Sequence, residues 1–291
     1  MGLFVLQSVN GLVIGILYGL AALGLSMVYK ALGYMNFAHA DTIMIGALVY
    51  SVLILHVDIP FYHAFFISLP IVMVYGVLTE KLLFIHFRRA SPITFMLVSM
   101  SLSTVVKNVA LILYGAQNRG LSVSFTDAFF RVGGIRVSMN NFVIFGIALV
   151  MLAVLQIFFT KTRFGLGIRM AQEEPEIASL LGVNVLTTRA ATFGISAGLG
   201  CVAGMLIGPL FSISTELGTQ ITLKSFIAAV IGGLGNFAGS VCGGLIVGLL
   251  ESLGATYISS RYRDVIVYVS GIIVLGFFPR GIFRSRAVTK H

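Results

Sequence analysis

Apolar stretches long enough to cross a bilayer recur from one end of this sequence to the other, and they constrain its fold more than any other feature. Of 291 residues, 58% are hydrophobic and only 10% are charged. A soluble domain carries roughly 25% charged residues. In lipid every backbone polar group needs an internal partner, which a helix provides. The sequence therefore predicts an all-α polytopic membrane protein.

The number of spans depends on one long stretch, residues 219–253. As a single helix it would exceed what a hydrocarbon core of about 30 Å accommodates. It also contains GGLGNFAG, Gly232–Gly239, whose glycine content is typical of a tight turn. We therefore divide this stretch into two helices. The sequence then predicts about nine membrane helices, and the pattern is compatible with eight to ten. All of them belong to one transmembrane domain, residues 1–291. The predicted spans are 3–29, 41–56, 60–86, 92–115, 141–160, 190–214, 219–233, 238–253 and 264–279.

The basic residues predict the orientation of the chain. With the polar segment 161–189 and the C-terminus on the cytoplasmic side, twelve of the 19 Lys and Arg residues lie inside and six outside, Lys107 being within a span. This distribution follows the positive-inside rule, and an odd number of spans leaves the N-terminus outside. The formal charge of +9 is spread over short loops rather than along one stripe, which argues against nucleic-acid binding.

Three local patterns predict small structural features. RVGGIRVSM, Arg131–Met139, has two short β-like runs around paired glycines and predicts a hairpin. Gly11 and Gly15 belong to rows of small residues four positions apart, which predict close helix packing. Cys201 and Cys242 lie in apolar segments without metal-site spacing, so both are expected to pack between helices.

The polar segment 161–189 predicts a short helix between two spans. Pro175 suits a first helical turn, and the acidic residues around it suit the positive end of the helix. Gly182 and Asn184 are expected to end it. The apolar residues that share one face of this helix are Ile177, Leu180 and Leu181. Such a face is typical of a helix that docks a soluble partner or rests on the lipid surface.

Polar residues at membrane depth are candidates for function, because a charge inside a bilayer costs a few kcal/mol or more. The stretch YMNFAHADTIM, residues 34–44, brings together Asn36, His39 and Asp41 at the predicted cytoplasmic end of the first span. No metal-ligand set accompanies His39, and no Ser-His-Asp, HExxH or GxSxG pattern is present, so neither metal binding nor catalysis is expected. Two interpretations of this stretch are left: a helix break that lines a transport path, and an N-cap of the second span formed by Asp41.

Glu251 is the second carboxylate expected at membrane depth, and pairing with Lys224 or Arg261 would make it structural. A shared Asn-Phe-Ala triplet relates Asn36 to Asn236 and indicates that both asparagines shape turns. SMSLSTVVKN, 99–108, supplies hydroxyls that would line a polar path or bond across helices. The candidates for a translocation path or helix break are Asn36, His39, Asp41, Ser99, Ser103, Asn236 and Glu251.

Four stretches resemble one known family in the family's own order. The opening GLVIGILYGLAALGLSMVYKALGYMNFAHAD and the later SFIAAVIGGLGNFAGSVCGGLIVGLLES resemble patterns of the branched-chain amino acid ABC transporter permease family, LivH type. EPEIASLLGVNV is similar to the EAA-type loop of ABC-importer permeases, and FFPRGIF resembles the family's closing motif. Departures are Ala40 for the family's glycine, Asp41 at the acidic position, Ile177 for an alanine, and PRG for PQG; they affect the expected substrate more than the fold.

The resemblance implies a type II ABC-importer permease-like fold with a cytoplasmic coupling helix in the bacterial cytoplasmic (inner) membrane. It implies a translocation path for branched-chain or related amino acids, and no cofactor. The implied partners are a second permease subunit (in a homo- or heterodimer), two cytoplasmic ATP-binding subunits and a periplasmic solute-binding protein. ATP hydrolysis is expected on those separate subunits, since the sequence has no G-x-x-x-x-G-K-[ST] phosphate loop. The residues implied for ATPase coupling are Gln172, Glu173, Glu176, Ala178 and Gly182.

Other functions stay open from the sequence. Relatives of the family carry urea and short amides, so the same machine for those solutes is one alternative. An ion-coupled secondary transporter, which would work without ATP, is another. An intramembrane enzyme or a structural membrane anchor is the third.

Overall fold

The computed structural model describes residues 2–87, 90–115, 117, 120, 129–132, 135–278 and 281–283. Within them the chain forms eleven α-helices and one two-stranded antiparallel hairpin. The helices are α1 (Gly2–Leu32), α2 (His39–Leu55), α3 (Phe61–Leu78), α4 (Pro92–Tyr114), α5 (Met139–Lys161), α6 (Arg163–Glu173), α7 (Pro175–Leu180), α8 (Val185–Ile207), α9 (Leu217–Gly232), α10 (Phe237–Tyr257) and α11 (Arg263–Phe277). A π turn (Thr79–Leu83) and a 3-10 turn (Phe84–Phe87) extend α3, and the strands are β1 (Phe129–Val132) and β2 (Ile135–Ser138).

Nine of the described helices, α1–α5 and α8–α11, correspond to the nine predicted spans. Six are long and apolar enough to cross a membrane: α1, α3 with its extension, α4, α5, α8 and α10. The others, α2, α9 and α11, have 17, 16 and 15 residues. At a rise of 1.5 Å per residue they are about 22–26 Å long, shorter than the roughly 30 Å hydrocarbon core. The all-helical polytopic fold is confirmed, with the hairpin as the exception in the described residues.

The predicted break inside 219–253 is confirmed between α9 and α10. Gly233 and Gly235 adopt φ angles of 91° and 82°, a left-handed conformation that glycine adopts without steric cost. The Asn236 side chain then accepts a hydrogen bond from the backbone N–H of Gly239 and caps α10. The glycines thus stop one helix, and the asparagine starts the next.

The centre of the bundle consists of α1 and α8, while α4 and α5 lie at its periphery. In α1 and α8, 89% of the most apolar window is buried, against 11% in α4 and 17% in α5. Glycines bring α1 against α10: a Cβ atom on Gly15 would lie 2.8 Å from the Cα atom of Leu245. The rows of small residues therefore serve close helix packing, as their spacing predicts.

Some boundaries differ from the predictions. The helix α6 was not predicted, and α8 begins at Val185 rather than at 190, because Asn184 caps α8 with two hydrogen bonds from its first turn. The hairpin occupies 129–138, one or two residues before the predicted segment. Cys201 is buried and Cys242 is half-buried, and both are free thiols. The basic C-terminal residues used to predict orientation lie outside the described residues.

We name the two ends of the bundle by what they carry. The end with α6 and α7, which connect α5 to α8, is called the α7 end. The opposite end, where β1 and β2 precede α5, is called the hairpin end.

Candidate functional site

The connection between α5 and α8 forms a compact platform rather than a loose loop. Thr162 caps α6 by accepting a hydrogen bond from the N–H of Gly165. Pro175 opens α7, where its missing N–H costs nothing. Gly182, at a φ angle of 81°, ends this turn, as predicted. The segment therefore has a fixed shape on which side chains can be presented.

Three of the residues implied for coupling tie this platform to the bundle. Lys30, at the end of α1, donates a 2.8 Å hydrogen bond to Glu173 Oε1, and this bond holds the pKa of the Glu173 carboxyl below its usual value. The side chain of Gln172 is buried and donates to Thr192 Oγ1 over 3.5 Å. Ala178 is fully buried. These residues fix α6 and α7 to α1 and α8.

The opposite side of α7 is exposed and apolar. The exposed fractions of Ile177, Leu180 and Leu181 are 52%, 88% and 65%. We call these three residues the α7 face. Glu176 is exposed beside them, and a Cβ atom on Gly182 would meet nothing within 4 Å. An exposed apolar patch on a firm support is typical of a surface for a protein partner.

An ion pair supports the same end of the bundle. The guanidinium Nε of Arg189, in the first turns of α8, lies 2.8 Å from Glu80 Oε1 in the π turn after α3. The Glu80 side chain is 1% exposed, so its charge is neutralised within the protein. The sequence analysis missed this pair, because nothing in the sequence relates two charges a hundred residues apart.

The stretch YMNFAHADTIM begins at the end of α1, where the Tyr34 ring lies 6.1 Å from the ring of Phe95 in the first turn of α4, and it runs from there into the bundle. Ser103, which donates a 2.7 Å hydrogen bond to Asp41 Oδ1, is at the midpoint of α4. Ser196, whose Oγ lies 3.2 Å from His39 Nδ1, is at the midpoint of α8. The first turn of α2 is therefore level with the middle of two long spans. A helix break is present: it begins at the end of α1, as predicted, and α2 starts deeper in the bundle.

His39 joins three helices at this depth. Its Nε2 atom donates to the carbonyl oxygen of Ala21 in α1 over 3.1 Å, since a carbonyl can only accept. Gly24 and Gly200 make room for the ring: a Cβ atom on Gly24 would lie 2.8 Å from His39 Cε1, and one on Gly200 would lie 3.4 Å from it. His39 is thus packed and hydrogen-bonded between α1, α2 and α8. Among the described residues, no group of three His, Cys, Asp or Glu side chains is placed to hold a metal ion.

The expectation that Asp41 caps α2 is wrong. The N-cap is Ala38, without a side-chain hydrogen bond, and Asp41 lies inside the first turn. Its side chain is fully buried; Oδ1 accepts from Ser103, and Oδ2 has no hydrogen-bond partner in the described structure. The positive end of α2 favours a carboxylate in this position. Asp41 therefore connects α2 to the peripheral helix α4.

The remaining polar candidates near the two Asn-Phe-Ala triplets form hydrogen bonds with backbone groups. Asn36 Oδ1 accepts from the N–H of Ala38 over 3.1 Å. Asn236 caps α10 and donates through Nδ2 to the carbonyl of Phe283 over 3.0 Å. Ser99 accepts from the N–H of Phe37 over 3.2 Å. The asparagines thus both shape turns, although only Asn236 is a helix N-cap.

Glu251 is the centre of a buried ion network. Lys224 Nζ lies 2.7 Å from Glu251 Oε1 and 2.8 Å from Asp264 Oδ1, so the predicted pairing with Lys224 is present. The second cation is Arg263, at 2.5 Å, and not Arg261, which is exposed in a 3-10 turn. Lys224, which is one of the six basic residues counted on the outer side although it falls in the predicted span 219–233, lies buried within α9. The network joins α9, α10 and α11. In the sequence, the neighbouring charges Arg263 and Asp264 at the start of α11 could have indicated it.

The fold defines the chain as a multi-pass α-helical membrane protein with a platform of two short helices between two of its spans. Residues 7–275 match the model of a family described as branched-chain amino acid transport system / permease component. The chain belongs to this family.

Curated relatives match over nearly the whole length. The permease protein LivH of a high-affinity branched-chain amino acid transport system in Salmonella typhimurium is 30% identical, over 99% of this chain and 97% of the relative. BraD of Pseudomonas aeruginosa is 29% identical over 98% and 97%. A chain of PsaBC from Streptococcus pneumoniae, solved in complex with Fab, shares 13% identity at a TM-score of 0.49, over 94% of this chain and 92% of that one. The curated relatives are permease subunits of transport systems.

Proposed function

We propose that this protein is the permease subunit of an ATP-driven importer for branched-chain amino acids, with ATP hydrolysed on separate subunits that dock against the α7 face. The observation that carries the proposal is the exposed apolar α7 face on a platform that is fixed to α1 and α8. The names of the full-length relatives support branched-chain amino acids over urea or short amides. The absence of a phosphate loop in the printed sequence supports ATP hydrolysis on partners.

The proposal includes a complete importer in the bacterial cytoplasmic membrane. A second permease subunit completes the translocation path, and a periplasmic solute-binding protein delivers the amino acid at the hairpin end. The α7 end and the C-terminus face the cytoplasm, in agreement with the distribution of Lys and Arg. ATP binding then shifts the population between inward- and outward-open states through the platform.

Co-purification tests the docking surface. Leu180→Ser and Ile177→Ser each remove a large apolar contact from the α7 face, and we expect about tenfold less ATP-binding subunit to co-purify with the tagged permease. Leu113→Ser is the matched control, because Leu113 is 82% exposed near the hairpin end of α4. Expression and monodispersity are expected to stay unchanged in all three variants. If both α7 variants retain the ATP-binding subunit at the level of the control, the α7 face does not dock it.

Uptake into proteoliposomes tests the transport class. The permease, its partner subunits and the binding protein are reconstituted, and uptake of labelled leucine is followed with and without ATP. We expect uptake only with ATP and with all partners present. Leucine uptake by the permease alone along an ion gradient would show a secondary transporter. Uptake of urea but not of leucine, isoleucine or valine would reverse the choice of substrate.

A further inference from the structure

A cavity of about 480 Å³ opens at the hairpin end between α1, α5, α10 and the segments next to α8 and α11. Its volume lies in the range of small-molecule sites, about 300–1,000 Å³. The amides of Gln7, Asn10 and Asn141 contribute to its lining. Leu210 and Phe211 provide an apolar part, and Arg263 provides a cation. The cavity thus combines acceptors, one positive charge and an apolar surface.

The guanidinium of Arg263 is held in place from two sides. Its Nε atom lies 2.5 Å from Glu251 Oε1, and its Cζ atom lies 5.4 Å from the centre of the Phe211 ring. Lys224 pairs with the same oxygen of Glu251, so Arg263 is the second cation on that carboxylate. A guanidinium carries five N–H donors in a planar fork, more than one carboxylate oxygen can accept. Arg263 is therefore oriented and retains the capacity to bind a second carboxylate.

Acceptor groups stand on the α1 side of the cavity. Asn141 donates through Nδ2 to Asn10 Oδ1 over 2.8 Å, which orients both amides. Ser252 fixes Gln7 by donating to its backbone carbonyl over 2.7 Å, and its Oγ lies 3.1 Å from Gln7 Oε1. An amide oxygen has two lone pairs, so each of these oxygens can accept a further hydrogen bond from an ammonium group.

We propose that this cavity is a weak binding site for a zwitterionic α-amino acid with an apolar side chain. The carboxylate binds Arg263, the ammonium binds the amide oxygens of Asn10 and Gln7, and the side chain lies against Leu210 and Phe211. The inference rests on the proposed function, since it names the place where this permease receives its substrate. Binding at Arg263 brings the substrate carboxylate next to the network that joins α9, α10 and α11.

Saturation-transfer NMR on the assembled permease and ATP-binding subunits in nanodiscs, without the solute-binding protein, tests the site with leucine as the probe. Two analogues separate the contacts: 4-methylpentanoate lacks the ammonium group, and isopentylamine lacks the carboxylate. We expect a transfer signal for leucine and about tenfold weaker binding for each analogue, since a hydrogen bond to a charged group contributes about 1.5–3 kcal/mol. Equal binding of leucine and both analogues overturns the proposal.

Two variants with matched controls locate the signal. Ala255→Phe fills the cavity from α10, and Leu250→Phe places the same ring on the exposed face of that helix. Arg263→Lys keeps a cation for Glu251 but loses the planar fork, and Arg261→Lys makes the same change at an exposed neighbour. We expect leucine binding about tenfold weaker in the first variant of each pair and unchanged in the controls. Unchanged binding in both Ala255→Phe and Arg263→Lys overturns the proposal.

Uptake separates this inference from the proposed function. If the parent importer takes up leucine and both cavity variants do so at the parental rate, the site is refuted while the function stands. If the parent takes up no branched-chain amino acid, the proposed function fails, and the cavity is then judged by the leucine transfer signal, which needs no ATP hydrolysis.

Discussion

At the scale of single residues, two kinds of position have little freedom: glycines at helix contacts and charges without access to water. Gly15 and its counterparts on α10 allow backbone contact between helices, for which lipid offers no hydrophobic driving force. Lys224 and Glu251 are 10% and 0% exposed, so each charge depends on its protein partners. Both kinds of position can be tested by one substitution and a control of the same chemistry.

Gly15→Ala is expected to lower the stability of the protein by about 1–3 kcal/mol, because the added methyl group would overlap the backbone of α10. Gly146→Ala is the control: a Cβ atom there meets nothing within 4 Å, and alanine favours a helix over glycine. The melting temperature of each variant is measured as the temperature at which half of the protein stays monodisperse after heating in detergent. Equal melting temperatures for the two variants would contradict the α1–α10 contact.

Lys224→Met is expected to cost about 3 kcal/mol, because it leaves Glu251 with Arg263 as the remaining cation. Lys107→Met makes the same change at a pair of 3.4 Å in which Glu216 is 63% exposed, and we expect less than about 1 kcal/mol. Thermal unfolding in detergent compares the two. A Lys107 variant as unstable as the Lys224 variant would show that burial does not set the cost.

At the scale of elements, the short helices show how the bundle departs from a row of simple spans. α2 begins at half-depth because the residues after α1 fold back into the bundle, where Ser103 and Ser196 meet Asp41 and His39. The pair α6–α7 is likewise fixed to α1 through Lys30 and Glu173. We therefore expect movement of the platform to be transmitted to the central helix.

Lys30→Gln tests this transmission, because it removes the charged link between α1 and α6 and leaves the α7 face intact. We expect the ATP-binding subunit to co-purify at the normal level, and leucine uptake per ATP hydrolysed to fall severalfold. Lys161→Gln is the control, since the exposed Lys161 at the end of α5 carries the same charge near the same end. Unchanged coupling in Lys30→Gln would mean that the link is structural only.

At the scale of the whole molecule, the bundle has the exposed apolar α7 face at one end and an amide- and arginine-lined cavity at the other. A transport subunit needs this polarity, because ATP and the incoming solute are on opposite sides of the membrane. The proposed orientation follows: the α7 end is cytoplasmic, and the hairpin end is outside.

Cysteine labelling checks the orientation. In a background with Cys201 and Cys242 replaced by alanine, Leu180→Cys and Tyr257→Cys each place one exposed thiol at opposite ends of the bundle. A membrane-impermeant maleimide is expected to label position 257 in intact spheroplasts, and position 180 only after the membrane is permeabilised. The reverse pattern would invert the orientation.

The sequence by itself determined the class of fold, the helix break at Gly233–Asn236 and the turn at Gly182, because hydropathy, glycine conformation and capping act over a few residues. The sequence did not determine the depth at which α2 begins or the presence of the cavity beside Arg263. It also did not determine that Arg263, rather than Arg261, pairs with Glu251. These depend on which helices become neighbours. A buried charge or amide takes whatever partner the neighbouring helix presents, so only the tertiary structure decided that the polar residues of YMNFAHADTIM lie between α1, α4 and α8.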